Sequence, residues 1–171
     1  MDSTLLGIHI GEYGVAAGPV TLAVHGLGSC VALLLHDPAV RVGGLAHILL
    51  PGPRPIQDAS SDLPAKYAPE AVDVLVEAMV RSGARASRLR AAVVGGASLF
   101  RSDADLDQGI GTRNAAALAE ALAERGLTPV VNETGGTEGR SVYFTLPEGI
   151  LEIKTLREGL RELPFGGRSQ E

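Results

Sequence analysis

A chain of 171 residues with 45% apolar content is most simply one globular domain around one core. Its formal net charge of −5 gives no basic footprint for nucleic acid, and no apolar run reaches membrane-spanning length, so neither nucleic-acid binding nor membrane insertion is expected. The single cysteine excludes an internal disulfide, and Met1-Asp2-Ser3-Thr4 lacks the basic start of a secretory signal; both suit a reducing cytoplasm.

Leu5 to Ile10 and Val20 to Val24 read as short strands joined by a glycine-containing link, Gly11 to Pro19. Cys30 to Leu35 and Val42 to Leu49 are nearly continuous apolar runs, the pattern of strands buried on both faces. Between them His36-Asp37-Pro38-Ala39 reads as a tight turn, which makes the pair a central hairpin. Pro51 to Lys66 holds four of the ten prolines and keeps no helix or strand pattern, so a long loop leaves directly from the second hairpin strand.

Tyr67 to Ser82 is a helix, with Ala68, Ala71, Val72, Leu75 and Met79 at helical spacing, Pro69 tolerated in the first turn, and Gly83 as the stop. Leu89 to Val94 is a strand running into Gly95-Gly96. A second helix is expected from about Arg113 to Arg125, capped by Thr112 and burying Ala115, Leu118, Ala119 and Leu122. Thr128 to Thr134, Arg140 to Leu146 and Ile150 to Thr155 read as three antiparallel strands. The charged, then glycine-rich residues from Leu156 onward read as a loosely docked tail. Together these elements predict an α+β fold, with mostly antiparallel sheet and two long helices packed on one side.

Chemistry concentrates in the hairpin. Cys30 follows the turn Gly26-Leu27-Gly28-Ser29, and His47 lies near the end of the returning strand, so folding back brings the two together. A thiol needs a proton acceptor to become a nucleophile, and imidazole titrates in the right range. Amides in the turn are candidate oxyanion donors. On spacing alone a plainer reading stands beside this one: Cys30 as a small buried hydrophobe and His47 as a satisfied core histidine. His9 reads as structural, His36 as a solvated turn residue, and His25 as a surface residue within reach of the site. No metal-ligand spacing emerges. Gly95-Gly96 and Gly135-Gly136 lack phosphate-loop spacing and read as turns or close packing. Arg101, Arg113 and Arg140 could attract an acidic partner but read more plainly as solvated charge, and Arg113-Asn114 could contact a ligand but reads more plainly as a helix beginning.

These residues assemble into a resemblance. G-L-G-S-C-V (Gly26 to Val31), G-G-L-A-H-I-L-L-P (Gly43 to Pro51) and K-Y-A (Lys66 to Ala68) are followed by G-G-A-S-L-F (Gly95 to Phe100) and I-G-T-R-N (Ile110 to Asn114). T-G-G (Thr134 to Gly136) and G-R-S-V (Gly139 to Val142) come last. In this order the chain resembles the chemoreceptor glutamine deamidases of bacterial chemotaxis, the CheD family. The resemblance implies a single catalytic domain over residues 1–156 with a polar tail, 157–171, and a layered fold similar to deamidating-toxin cysteine hydrolases. It implies a protein-glutamine glutaminase with Cys30 as nucleophile and His47 as base, no cofactor, and no metal. The substrate would be chemoreceptor cytoplasmic helices, with methyl-ester hydrolysis as a related activity and a CheC-type phosphatase as a regulatory partner.

One position departs from the family pattern. A threonine is often found six residues before the cysteine as a third site member, and here Val24 stands there. The role of orienting His47 then passes to Ser29, to Thr21 or to a backbone carbonyl, with Gly28 among the oxyanion or supporting residues. The alternative is a regulatory binding module that has lost efficient catalysis through Val24; hydrolysis of a small amide is a third reading.

Overall fold

The computed structural model describes residues 4–58, 62–99 and 109–166. Ten strands and two long helices follow in the order β1 (Thr4–Gly7), β2 (Tyr13–Ala16), β3 (Val20–Leu27), β4 (Val31–Asp37), β5 (Val42–Ile48), α1 (Ala68–Arg81), β6 (Arg90–Gly95), α2 (Ile110–Glu124), β7 (Pro129–Thr134), β8 (Arg140–Leu146), β9 (Ile150–Thr155) and β10 (Gly159–Leu163). They form two five-stranded sheets, β1-β3-β8-β9-β10 and β2-β5-β4-β6-β7.

The layering follows from side-chain alternation. Every residue of β4 and β5 is buried, as their nearly continuous apolar runs require, and His36, Asp37 and His47 are buried with them. Val31, Leu33, Leu35, Ala46 and Ile48 pack with Ala68, Val72, Leu75 and Met79 of α1 and Leu118 and Leu122 of α2. The alternate positions Ala32, Leu34 and Leu45, with Ala92 and Val94, pack against Leu22, Val24, Val142, Phe144 and Ile153 of the other sheet. The result is helices on one face of a central sheet and a second sheet on its other face, the α+β layering expected from the sequence.

Several local expectations are corrected. The link Gly11 to Pro19 contains a strand, β2, paired antiparallel with β5. The segment after Leu156 is not loose where described: β10 pairs with β9 from Gly159 to Leu163. β7 is not antiparallel to β8; it runs parallel to β6 in the other sheet, reached through the α2 crossover. Helix α2 starts three residues early, at Ile110, with Gly109 rather than Thr112 at its cap and no side-chain capping bond. Its buried face is Gly111, Asn114, Leu118, Ala121 and Leu122, while Ala119 is exposed.

The described parts of the Pro51 to Lys66 segment, 51–58 and 62–66, are irregular but tied down. Arg54 pairs with Glu70 at 2.8 Å, and Asp58 accepts from Lys66 Nζ at 2.6 Å and from the Tyr67 hydroxyl at 2.7 Å. The Arg54 guanidinium also stacks over the Tyr67 ring at 4.9 Å. Asp37, fully buried at the hairpin turn, accepts from the amides of Ala39 and Arg85 and pairs with Arg88 at 2.9 Å. His36 is a corrected expectation: it is a β4 residue, 2% exposed, edge-on to Phe144 at 5.9 Å. The strand runs on through Asp37, and even-numbered β4 positions face the second sheet.

Candidate functional site

The site lies where the central hairpin ends. In the β4–β5 ladder Val31 pairs with Ile48 and Ala32 with His47. Side chains alternate, so Cys30 projects from the same face as Ala32 and His47, one diagonal step from the histidine. Such neighbours have Cα atoms about 7–8 Å apart, within the combined reach of a thiol and an imidazole. Cys30 belongs to the inter-sheet core with Ala32 and Val24. It is 9% exposed and His47 is 7% exposed, so both are screened from bulk water.

His47 is held at ring and backbone. Its Nδ1 lies 3.0 Å from the carbonyl oxygen of Ile8. A carbonyl can only accept, so Nδ1 carries the proton and Nε2 presents its lone pair as base. Ile8 is fixed in turn, its amide donating to the Ala23 carbonyl at 2.8 Å. The His47 amide donates to the Glu12 carbonyl, and its own carbonyl accepts from the Gly11 amide. Burial lowers the His47 pKa below its usual value, outweighing the Ile8 carbonyl, which favours the cation. Burial likewise pushes the Cys30 thiol up, against a smaller opposing pull from its own backbone amide. Both shifts favour the neutral forms, thiol and imidazole.

The turn before Cys30 is locked by the chain at the end of β6. The Cys30 carbonyl accepts from Gly96 N at 2.9 Å and the Gly28 carbonyl from Ala97 N at 2.9 Å. Gly95 adopts φ 111, and a Cβ there would overlap the Cys30 carbonyl oxygen. Gly95-Gly96 is thus close packing against the chain at Cys30. Leu99 covers Gly28 so closely that a Cβ at position 28 would lie 2.8 Å from its Cδ1. A cleft of about 190 Å³ opens beside the half-buried Ser29, lined also by Ala97, Ser98, Leu99, Gly109, Ile110 and Gly111.

The remaining candidates are placed differently. Thr21 is on the outer face of its sheet, its hydroxyl 3.1 Å from that of Thr145, and is not gathered with Cys30 and His47. Ser29 flanks the cleft, and its carbonyl accepts from Asn114 at 2.8 Å. His25 is exposed beside Tyr143, at 3.4 Å. His9 is exposed rather than embedded, although its neighbour Ile8 is buried. Arg140, expected as solvated charge, is half-buried and donates to the carbonyls of Gly95 and Gly135. Arg113 is exposed as expected, and Arg101 lies outside the described residues. The Ile8 carbonyl leaves no sequence signature, and Asn114, read in sequence as part of a helix beginning, is fully buried.

Val24 is 1% exposed in the inter-sheet core. Because the Ile8 carbonyl already holds Nδ1, Val24→Thr is expected to leave kcat unchanged. It should lower stability by about 1 kcal/mol, since a hydroxyl replaces a packed methyl. Kinetics and thermal unfolding of the variant test this, and a large gain in kcat would show that His47 lacks an orienting partner.

The profile of the family described as "CheD chemotactic sensory transduction" matches residues 49–155. The chain is 42% identical over 163 residues to "Probable chemoreceptor glutamine deamidase CheD 2" of Geobacter metallireducens, covering 94% of this chain and 99% of that relative. It is 41% identical to "Probable chemoreceptor glutamine deamidase CheD" of Archaeoglobus fulgidus, over 93% of this chain and 98% of the relative. To "Chemoreceptor glutamine deamidase CheD" of Thermotoga maritima it is 39% identical, over 89% and 92%. Similarity at this level along almost the whole length of both chains has one meaning: the chain belongs to the CheD family.

Proposed function

We propose that the protein deamidates glutamine side chains of chemoreceptors through a Cys30–His47 thioester mechanism. The observation that carries this reading is the shared face of Cys30 and His47, with the Ile8 carbonyl fixing Nδ1 and freeing Nε2. The names of the relatives supply the substrate class. The matched profile begins two residues after His47, so the pair itself rests on geometry.

In the reaction Nε2 of His47 accepts the Cys30 proton as sulfur attacks the carboxamide carbon. Backbone amides of the turn from Gly28 to Cys30 donate to the developing oxyanion. The tetrahedral adduct collapses, the imidazolium gives its proton to the leaving nitrogen, and ammonia departs from a thioester. Water deprotonated by His47 then attacks, releasing glutamate and the thiol. The same thioester would form from a receptor methyl ester with loss of methanol. No step calls on a cofactor. The reading places the protein in the cytoplasm beside receptor helices, with a CheC-type phosphatase as regulatory partner; among the described residues no helix is long and apolar enough to cross a membrane.

The test is incubation with receptor cytoplasmic fragments, scored by mass spectrometry for Gln-to-Glu conversion. Conversion at defined glutamines is expected; stable binding without conversion would support the regulatory module instead.

A neutral resting pair has a pH signature. His47 must be unprotonated to act, so activity is present above its pKa and is lost as pH falls through it. That acid limb should lie below the ordinary histidine value of 6.5. Iodoacetamide capture of Cys30 should keep rising past pH 9, because burial lifts the thiol above its ordinary value of 9.0. A capture rate that levels off near neutral pH would instead mark a preformed thiolate–imidazolium pair.

A further inference from the structure

The β4–β5 pairing stops one residue short of Cys30, at Val31 and Ile48. Beyond it the strands separate. The amides of Leu49 and Leu50 both turn away to the Lys66 carbonyl, at 3.0 Å each. The nucleophile thus sits on a rung that the sheet itself does not close. Two carbonyls flank that rung: Ser29, directly before Cys30, and Leu49, two residues after His47.

Both are bound by one side chain. Nδ2 of Asn114 donates to the Ser29 oxygen at 2.8 Å and the Leu49 oxygen at 3.0 Å. Facing two acceptors, this end of the amide can only be the nitrogen. Asn114 is 0% exposed, and its Oδ1 has no partner among the described residues. It reaches the rung because α2 docks closely on the chain after β6: a Cβ on Gly111 would collide with the backbone of Gly96 and Ala97.

We propose that Asn114 is a positioning residue for the reaction, replacing the missing rung between β4 and β5 and so setting Cys30 against His47. It acts through the backbone on either side of the pair and does not touch the reacting atoms. The inference rests on the deamidase reading given above. It gives the buried amide a role beyond pairing these two carbonyls, which an apolar side chain of the same size would leave without this donor.

The test uses the full chain and a receptor fragment. Folded Asn114→Ala, confirmed by circular dichroism and thermal unfolding, is expected to lose about tenfold or more in kcat with little change in KM, because misplacement of the pair slows chemistry and not binding. A folded Asn114→Ala with wild-type kcat overturns the proposal. Asn114→Asp adds a readout that packing would not move. A buried carboxyl facing two carbonyls stays protonated to high pH and donates one hydrogen bond, until it ionises and repels both oxygens. Its activity should fall with rising pH where the wild type holds its plateau; superimposable profiles overturn the proposal. In the unaltered protein both Nδ2 hydrogens should be protected from solvent exchange and shift on NMR when Cys30 is alkylated. An unprotected or unresponsive amide overturns the proposal even if neither variant folds. Absence of deamidation by the unaltered protein counts against the deamidase reading, and the NMR arm still decides the positioning role.

Discussion

Cys30→Ala is expected to abolish conversion of receptor glutamine, and His47→Ala to reduce kcat by about a thousandfold or more, with both variants folded and still binding receptor fragments. The two losses should not add. Once the sulfur is gone the imidazole has no proton to accept, so the double variant should match Cys30→Ala. Folding is expected to survive because the inter-sheet core around Cys30 and Ala32 is formed mainly by Leu34, Leu45, Val94, Val142 and Phe144. Removing one sulfur there costs about 1–2 kcal/mol, by analogy with other small core truncations. Retention of substantial activity in folded Cys30→Ala would move the chemistry elsewhere.

The second large effect is on the scaffold. Gly95→Ala is expected to destabilise the protein by about 3 kcal/mol or more, through a left-handed φ and a collision with backbone that cannot rotate away. The Gly95 φ of 111 and the overlap with the Cys30 carbonyl are independent penalties at one position. The Gly95 carbonyl also receives Gly135 N and Arg140 Nη1, so a shift there spreads to the β7–β8 turn. Gly83→Ala is the control. Gly83 has a φ of 101 at the end of α1, but a Cβ there meets nothing within 4 Å. It should cost only about 1 kcal/mol, the conformational penalty alone. Urea unfolding of the two variants measures the difference. Equal losses would mean that the contact with Cys30 is not tight.

The hairpin was legible because β4 and β5 carry nearly continuous apolar runs, the pattern of strands covered on both sides. From there the shared face of Cys30 and His47 follows by counting alternate residues. Helix α1 was legible for the same kind of reason: its buried residues keep a 3.6-residue period. Long-range pairing was not. β7 looks like any edge strand, and whether it joins β6 or β8 depends on the α2 crossover, which no local pattern encodes. β10 carries Arg161 and Glu162 and reads as a tail, yet edge strands tolerate such charge. His36 beside Asp37-Pro38 has turn composition, and burial against Phe144 emerges only once the sheets stack. Within the site, the partner of His47 is a backbone carbonyl from a segment 39 residues away, so no side chain announces it. That position 24 holds valine in place of threonine was visible, and a backbone carbonyl was among the stand-ins; that the carbonyl beside Nδ1 is that of Ile8 was not.

The thioester can be intercepted directly. Deamidation of a receptor fragment run in increasing hydroxylamine should yield glutamyl hydroxamate at the expense of glutamate, at the same glutamines, because the amine competes with water for an acyl group held on Cys30. Glutamate forming at an undiminished rate with no hydroxamate would contradict a covalent acyl-enzyme and, with it, the role assigned to the Cys30 sulfur.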